Sequence, residues 1–164
     1  MKLYIIRHGA AAPKEDYDRD ADRPLTAEGR TRIENVANLL ARLGARPSTI
    51  LTSPFVRAVE TAQILSNALA GAPVAESERL TNDYAAADVL DLVAETDSGE
   101  IALVGHAPQL DEVLARMTVG EEIEAAHLGK ASCACVEFEQ GFGRAEGVLQ
   151  WLVSREIAAI CGAD

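Results

Sequence analysis

Two kinds of apolar pattern alternate along the chain. Short, uninterrupted apolar runs predict strands that are buried on both faces. Longer segments with apolar residues at helical spacing predict helices, as in the segment that Thr26 caps and Gly44 ends. The predicted strands are residues 2–7, 48–52, 74–76, 101–105, 132–138 and 147–153, and the predicted helices are residues 27–43, 54–70, 86–95 and 108–117.

Strands and helices alternate along most of the sequence, which is typical of a parallel sheet covered by helices. The glycine-rich segment 140–147 joins the last two strands and predicts a hairpin, so one edge of the sheet should be antiparallel. We therefore expect an α/β fold of three layers, α/β/α, with a mostly parallel central sheet and an antiparallel edge strand. The 164 residues, 48% of them hydrophobic, indicate a single domain over residues 1–164.

A histidine directly follows two of the predicted strands. Arg7, His8 and Gly9 close the first strand, and Gly105 and His106 close the fourth. Ligands of open α/β sheets bind just beyond the carboxyl ends of the strands. Each histidine alone could be an ordinary core residue, but two at corresponding strand ends favour a functional site.

Arg57 adds a third element to this pattern. It lies in the first turn of the helix after the second strand, for which Ser53 is the expected N-cap and Pro54 the first helical residue. A cation is unfavourable at this positive end of the helix dipole unless an anion binds at the same place. The alternative is a surface arginine paired with Glu60.

Together these side chains could transfer a phosphoryl group. Arg7 and Arg57 present planar donor forks that match phosphate oxygens. His8 is the candidate nucleophile, with its second ring nitrogen donating to a backbone carbonyl in the following loop. His106, protonated beside a dianion, would be a further donor to the phosphoryl oxygens. This scheme requires no metal and no cofactor.

Three motifs together resemble the histidine phosphatase superfamily, the family once named after phosphoglycerate mutases. A fourth motif and the compact length resemble, more narrowly, its SixA-type phosphohistidine phosphatases. The first three are Arg7-His8-Gly9, Ser53-Pro54-x-x-Arg57-Ala58-x-x-Thr61-Ala62 and Gly105-His106-x-Pro108, and the fourth is Arg23-Pro24-Leu25-Thr26-x-x-Gly29.

The resemblance implies a phosphoglycerate mutase-like fold in which His8 becomes phosphorylated and Arg7, Arg57 and His106 complete the phosphate pocket. It further implies that Gly9 and Arg23 contact the substrate. For Arg23 the alternative is a loop arginine bonded to a nearby acidic residue, namely Asp18, Asp20 or Asp22.

The implied activity is removal of phosphate from a phosphohistidine-bearing protein, such as a phosphotransfer or phosphocarrier domain, with inorganic phosphate as product. Two alternatives remain open: a small-molecule phosphomonoesterase or mutase of the same superfamily, and a non-catalytic phosphoprotein-binding module. Retention of both histidines counts against the binding module.

One segment departs from the wider family, whose esterases carry a general acid after the second helix. Here the segment reads Leu80-Thr81-Asn82-Asp83-Tyr84. Asp83 could serve as the acid, although a solvated loop carboxylate is the competing interpretation. An alkoxide leaving group needs such an acid, whereas an imidazole is readily protonated near neutral pH.

The net charge limits the kinds of partner that we expect. The cysteines and the apolar runs limit the expected cellular compartment. The formal net charge of -11 argues against nucleic acid or an anionic membrane as a partner. Cys133 and Cys135 share one face of a predicted strand and are expected to be reduced core residues. The chain enters a strand at once and contains no apolar run of membrane-spanning length, so we expect a cytoplasmic protein.

Overall fold

The computed structural model describes residues 1–96, 99–120, 126–139, 142 and 146–162. Six strands and five α-helices lie within these residues. The strands are β1 (Lys2–Arg7), β2 (Thr49–Thr52), β3 (Val74–Glu76), β4 (Glu100–Gly105), β5 (Cys133–Glu137) and β6 (Val148–Val153). The helices are α1 (Ala27–Arg42), α2 (Val56–Ala68), α3 (Ala86–Ala94), α4 (Gln109–Thr118) and α5 (Arg155–Gly162).

The strands form one sheet in the order β3-β2-β4-β1-β5-β6. The pairs β2/β3, β2/β4 and β1/β4 are parallel, and the pairs β1/β5 and β5/β6 are antiparallel. The expected mostly parallel sheet with an antiparallel edge is therefore confirmed. The strand that runs against the others is β5, next to the edge. Most of the predicted hairpin connection, residues 140, 141 and 143–145, lies outside the described residues.

Helices cover both faces of this sheet and give it two cores. On one face, α3 and α4 pack over inward residues of β1 and β4 such as Leu3 and Leu103. On the other, α1 and α2 pack over Tyr4 and Val104, the neighbours of those residues along each strand, and Ala158 of α5 joins them. Because successive side chains of a strand point to opposite faces, the uninterrupted apolar runs follow from this three-layer arrangement.

The start of α1 agrees with the predicted capping, and the start of α2 requires a correction. Thr26 caps α1 as expected, its Oγ1 accepting from the Gly29 amide at 2.9 Å. The prediction for α2 was wrong by two residues, because Phe55 is the N-cap and Val56 the first helical residue. Ser53 accepts instead from the Phe55 amide at 3.3 Å, which leaves its hydroxyl beside the strand end.

The sequence analysis did not predict α5, which spans only eight residues. The sequence signal for this helix is Ser154, a residue type that commonly serves as N-cap. In the structure its Oγ accepts from the Ile157 amide at 3.4 Å. Of the cysteines, Cys133 and Cys135 are buried and unbridged on one face of β5, as expected. Within the described part of the chain, no helix has the length and apolar character needed to cross a membrane.

Candidate active site

Four of the predicted residues, Arg7, His8, Arg57 and His106, meet at the carboxyl ends of three adjacent parallel strands, β2, β4 and β1. The register places Arg7 opposite Gly105, and the His8 amide continues the ladder by donating to the Gly105 carbonyl at 3.2 Å. A cavity of about 180 Å³ opens beyond these ends. Its lining residues are Arg7, His8, Ala11, Arg23, Arg57, Asn82, His106, Ala107 and Lys130.

His8 is buried, with 6% of its surface exposed, and its hydrogen bonds fix one tautomer. Nδ1 lies 2.7 Å from the Gly9 carbonyl oxygen, which can only accept. Nε2 lies 3.2 Å from Arg57 Nε, which can only donate. Nδ1 therefore carries the proton, and Nε2 keeps its lone pair on the side of Arg57. The predicted bond from His8 to a carbonyl in the following loop is confirmed.

The surroundings of His8 also keep its ring neutral. Burial lowers the pKa of His8, and the nearby His106, Arg57 and Arg7 lower it further, to about 3, against the opposing effect of the Gly9 hydrogen bond. A neutral imidazole with a free lone pair is the nucleophilic form of histidine. His8 is therefore in that form throughout the physiological pH range.

Arg57 reaches His8 from the first turn of α2. Its side chain is buried, and its Cζ lies 4.9 Å from the centre of the Phe55 ring, a cation–π distance. The alternative pairing with Glu60 does not form, because Glu60 binds Arg30 at 2.9 Å and accepts from the Leu25 amide at 2.6 Å. Arg57 is thus a site arginine and not a surface one.

Arg7 lines the cavity from the end of β1, next to the loop that precedes β5. Its Nη1 donates to the Leu128 carbonyl at 2.7 Å. Its Nε is buried and finds no hydrogen-bond partner among the described residues. Burial lowers the pKa of Arg7 from its very high ordinary value, but a guanidinium stays charged at any working pH. Arg7 also lines the cavity, so its guanidinium group is available to a phosphate oxygen there.

His106 mirrors His8 at the end of β4. It is 4% exposed, and its Nε2 lies 2.8 Å from the Ser53 hydroxyl. Its ring stands edge-on to the His8 ring, with centroids 4.8 Å apart. Burial and then Arg57 lower the pKa of His106 to about 4 in the protein alone, although Asp20 opposes them. The charge of a phosphate dianion acts in the raising direction, so protonation of His106 beside a bound dianion stays a prediction.

Arg23 combines the two interpretations that the sequence left open. Its Nη1 binds Asp20 Oδ1 at 2.6 Å, and its Nε donates to the Ala12 carbonyl at 2.7 Å. It nevertheless lines the cavity. The acidic partner holds the arginine at the site, so the two interpretations do not exclude each other.

Gly9 is buried behind the cavity and is not among its lining residues. Its amide donates to Thr61 Oγ1 at 3.3 Å. A Cβ at this position would lie 2.8 Å from the Gly29 carbonyl oxygen and 2.9 Å from Leu25 Cδ2. The contacts of Gly9 therefore explain close packing between the loop after β1 and the start of α1, and its role as a substrate contact stays a prediction.

The segment with the candidate acid presents an amide to the cavity. Asn82 lines the cavity and donates to the Ala107 carbonyl at 3.1 Å, whereas Asp83 is exposed and lies outside the lining. Gln109 holds this segment, its buried amide nitrogen lying 2.8 Å from the carbonyls of Arg79, Thr81 and Tyr84. The role of Asp83 as a general acid stays a prediction.

Sequence reasoning did not select Lys130, Asn82 or Ser53 as side chains of the site. Lys130 lies in the loop before β5, where no pattern distinguishes it from other surface lysines. Ser53 was assigned to helix capping, a local role that any Ser-Pro pair indicates. Only the sheet order, which brings β2 beside β4, places its hydroxyl against His106.

Four basic side chains bring positive charge to the site. Arg7, Arg23, Arg57 and Lys130 line one cavity of a protein with a formal net charge of -11. Across the described residues, no group of three or more His, Cys, Asp or Glu side chains could hold a metal ion. Four cations around a neutral imidazole can bind a tetrahedral oxyanion and offset its charge during transfer.

Comparison with known proteins agrees with this geometry. Residues 3–88 match the family described as the histidine phosphatase superfamily (branch 1). The chain is 37% identical over 134 residues to an uncharacterized protein of Picosynechococcus sp., covering 80% of this chain and 81% of that protein. It is 29% identical over 126 residues to the phosphohistidine phosphatase SixA of Escherichia coli, covering 74% and 76%. The structure of the protein histidine phosphatase SixA complexed with tungstate superposes with a TM-score of 0.80 at 25% identity, over 94% of this chain and 97% of that one.

Proposed function

The protein belongs to the histidine phosphatase superfamily, and from this premise we propose that it is a phosphohistidine phosphatase acting on a partner protein through a covalent intermediate at His8. The observation that carries the proposal is the state of His8. Its Nδ1–H is held by the Gly9 carbonyl and its Nε2 lone pair lies beside Arg57, at a cavity lined by four cations. SixA, a structural neighbour, is a histidine phosphatase crystallised with the tetrahedral oxyanion tungstate.

In the first step, the Nε2 lone pair of His8 attacks phosphorus and forms a new N–P bond. The N–P bond of the substrate breaks, and its electron pair goes to the departing ring nitrogen, while the other nitrogen of that imidazole carries a proton taken up from solvent, so that neutral imidazole leaves. Arg57 releases its hydrogen bond to Nε2 as the phosphoryl group arrives and binds an equatorial oxygen instead. Arg7 offers its guanidinium group to another oxygen.

In the second step, water attacks the phosphorus of phospho-His8 and inorganic phosphate leaves. The electron pair of the breaking N–P bond returns to Nε2, while the Gly9 carbonyl still holds Nδ1–H. His8 therefore regains its starting tautomer without a proton shift between its nitrogens. We propose that His106, whose ring centroid lies 4.8 Å from that of His8, donates to a phosphoryl oxygen in both steps.

The substrate class is inferred from the segment that carries the candidate acid and lines the cavity at Asn82. An alkoxide leaving group needs a general acid, typically worth ~10²–10⁴-fold in rate. The side chain that faces the cavity there is the amide of Asn82, which has no proton to transfer at neutral pH. A leaving imidazole is protonated near neutral pH without such help. This arrangement favours phosphohistidine over a phosphate ester.

A substrate panel tests the proposal. Phosphate release is measured with a histidine-phosphorylated phosphocarrier protein, p-nitrophenyl phosphate and a sugar phosphate, each in excess EDTA. We expect the highest kcat/KM with the phosphoprotein and no loss from EDTA, since arginines supply the charge that a metal supplies elsewhere. Loss of activity that magnesium or zinc restores would contradict the metal-free mechanism.

The other two outcomes of the panel identify the alternatives. Preferred hydrolysis of an ester would make the protein a small-molecule phosphomonoesterase. Binding of the phosphoprotein without turnover would make it a phosphoprotein-binding module. His127→Ala is a matched control for variants of His8, because His127 is an exposed histidine that pairs with Asp111 outside the cavity lining.

A further inference from the structure

Asp20, in the acidic loop before α1, binds two of the arginines that line the cavity. Its Oδ2 binds Arg57 Nη2 at 2.8 Å, and its Oδ1 binds Arg23 Nη1 at 2.6 Å. Its backbone carbonyl accepts from Arg57 Nη1 at 2.7 Å. Asp20 itself is not among the residues that line the cavity. One residue of a short 3-10 turn, Asp20–Asp22, therefore holds both guanidinium groups.

The two edges of the Arg57 guanidinium group make different contacts. A guanidinium group is planar, and its Nη1/Nη2 edge and its Nε edge point in different directions. Asp20 occupies the Nη1/Nη2 edge, and the Nε edge then faces His8 at 3.2 Å. Fixing one edge fixes the other, because the group is rigid. Asp20 thus sets the direction in which Arg57 meets the nucleophile.

The Asp20 carboxylate differs from an ordinary surface ion-pair partner. The Arg57 side chain is 8% exposed while that of Asp20 is 38% exposed, so loss of the carboxylate would leave a nearly buried cation without its ionic partner. Burial raises the pKa of Asp20, but hydrogen bonds from Arg23 and Arg57 outweigh it and lower the pKa to about 2. Asp20 is therefore ionised at every pH at which the protein would act.

We propose that Asp20 is a positioning residue, which orients Arg57 toward the phosphoryl group and holds Arg23 at the cavity wall. The proposal rests on the proposed function, since it assigns a part in binding the same phosphoryl group. It differs from a competitive role, in which the carboxylate occupies the arginines and phosphate must displace it. Positioning predicts that loss of the carboxylate weakens phosphate binding, and competition predicts that it strengthens it.

The deciding experiment measures the affinity of the whole protein for inorganic phosphate by calorimetry, comparing wild type with Asp20→Asn. Asparagine keeps the shape and one acceptor oxygen but cannot serve two arginines as a carboxylate does. We expect phosphate binding to weaken about tenfold, the scale of one charge-assisted hydrogen bond. Asp22→Asn is the matched control, because Asp22 lies in the same turn and its carboxylate is 3.9 Å from the exposed Arg19. The control should bind phosphate as wild type does.

A second measurement separates positioning from a general effect on stability. The Arg57 Nε–H resonance should exchange with solvent faster in Asp20→Asn and stay protected in Asp22→Asn, both recorded at a temperature at which each variant is fully folded. Unchanged or tighter phosphate binding in Asp20→Asn, or an equally protected Nε–H, would overturn the proposal. Phosphate binding needs no turnover, so wild-type protein that binds phosphate but hydrolyses nothing would refute the proposed function and leave this test valid.

Discussion

The carboxyl ends of β1 and β4 present the same local pattern to the cavity, a buried apolar strand followed by a buried histidine. Their partners differ. His8 has a carbonyl on one ring nitrogen and an arginine on the other, so its proton is fixed on Nδ1. His106 has the Ser53 hydroxyl on Nε2, and a hydroxyl can donate or accept.

In the proposed mechanism, this difference explains why a histidine after β1 and a histidine after β4 have different roles. A histidine whose tautomer is locked with a lone pair beside an arginine suits attack on phosphorus. A histidine beside a hydroxyl can gain a proton without losing that contact, which suits a donor to phosphoryl oxygens. In the proposed mechanism the two roles follow from the hydrogen-bond partners of each ring, and the predictions below test this assignment.

Replacing the nucleophile should have the largest effect. His8→Ala should lose more than ~10³-fold in kcat/KM, because the covalent route is removed. Folding should survive, as the side chain is polar and lies at a strand end. Steady-state kinetics with His127→Ala in parallel measures this. More than about a tenth of wild-type kcat/KM in His8→Ala, a loss below ~1.4 kcal/mol, would rule out His8 as nucleophile.

Replacing the second histidine should cost less. His106→Ala removes one donor to the developing charge, and such a loss typically lowers kcat by about 10²-fold. The phosphorylated enzyme should still form in this variant, more slowly. Rapid-quench measurement of the phosphoenzyme tests the distinction. If His106→Ala abolished the phosphoenzyme as completely as His8→Ala, the two strand ends would not differ in role.

The two histidines should, by contrast, have the same effect on how stability depends on pH, because burial is the main cause of both lowered pKa values. Their pKa values are about 3 and about 4 in the folded protein, below ~6.5 in the unfolded chain. The unfolded state therefore binds more protons as the pH falls below ~6.5, and the folded state loses stability toward the folded pKa values. Between pH ~7.5 and ~5.5 the loss should be about 1 kcal/mol for each histidine.

Urea unfolding of wild type, His8→Asn and His106→Asn at those two pH values measures this loss. Each variant should show a smaller decrease in the free energy of unfolding than wild type. An identical decrease in all three proteins would mean that neither histidine is held neutral by the fold.

The smallest effect is expected from Asp83, the neighbour of the cavity-lining Asn82. Asp83→Asn should change turnover of a phosphohistidine protein by less than about threefold, since Asp83 is exposed and the leaving imidazole needs little acid assistance. For an ester substrate that relied on Asp83, the same change would cost ~10²-fold and remove the basic limb of the pH profile. A large loss confined to esters, with negligible activity on the phosphoprotein, would contradict the assignment of phosphohistidine.

The sequence predicted the parts of this site that depend on local pattern. Unbroken apolar runs followed by a histidine identified β1 and β4. Arg57 was identified because a cation is unfavourable at the positive end of a helix dipole unless an anion binds there. The contacts that assign roles were not predictable in this way. Asp20 and Arg57 are 37 positions apart, and Ser53 and His106 are 53 apart. Such pairs depend on how loops and strands pack, which no local periodicity records.

The most direct test of the assignment of His8 is to trap the phosphorylated enzyme. Protein mixed with a histidine-phosphorylated phosphocarrier is quenched in alkaline denaturant within the first turnover and analysed by intact-mass and peptide mass spectrometry. We expect one added phosphoryl group, stable to alkali, labile to acid and located on His8. A phosphoryl group on His106 or on another residue would contradict the assignment, as would phosphate release with no protein adduct at any quench time.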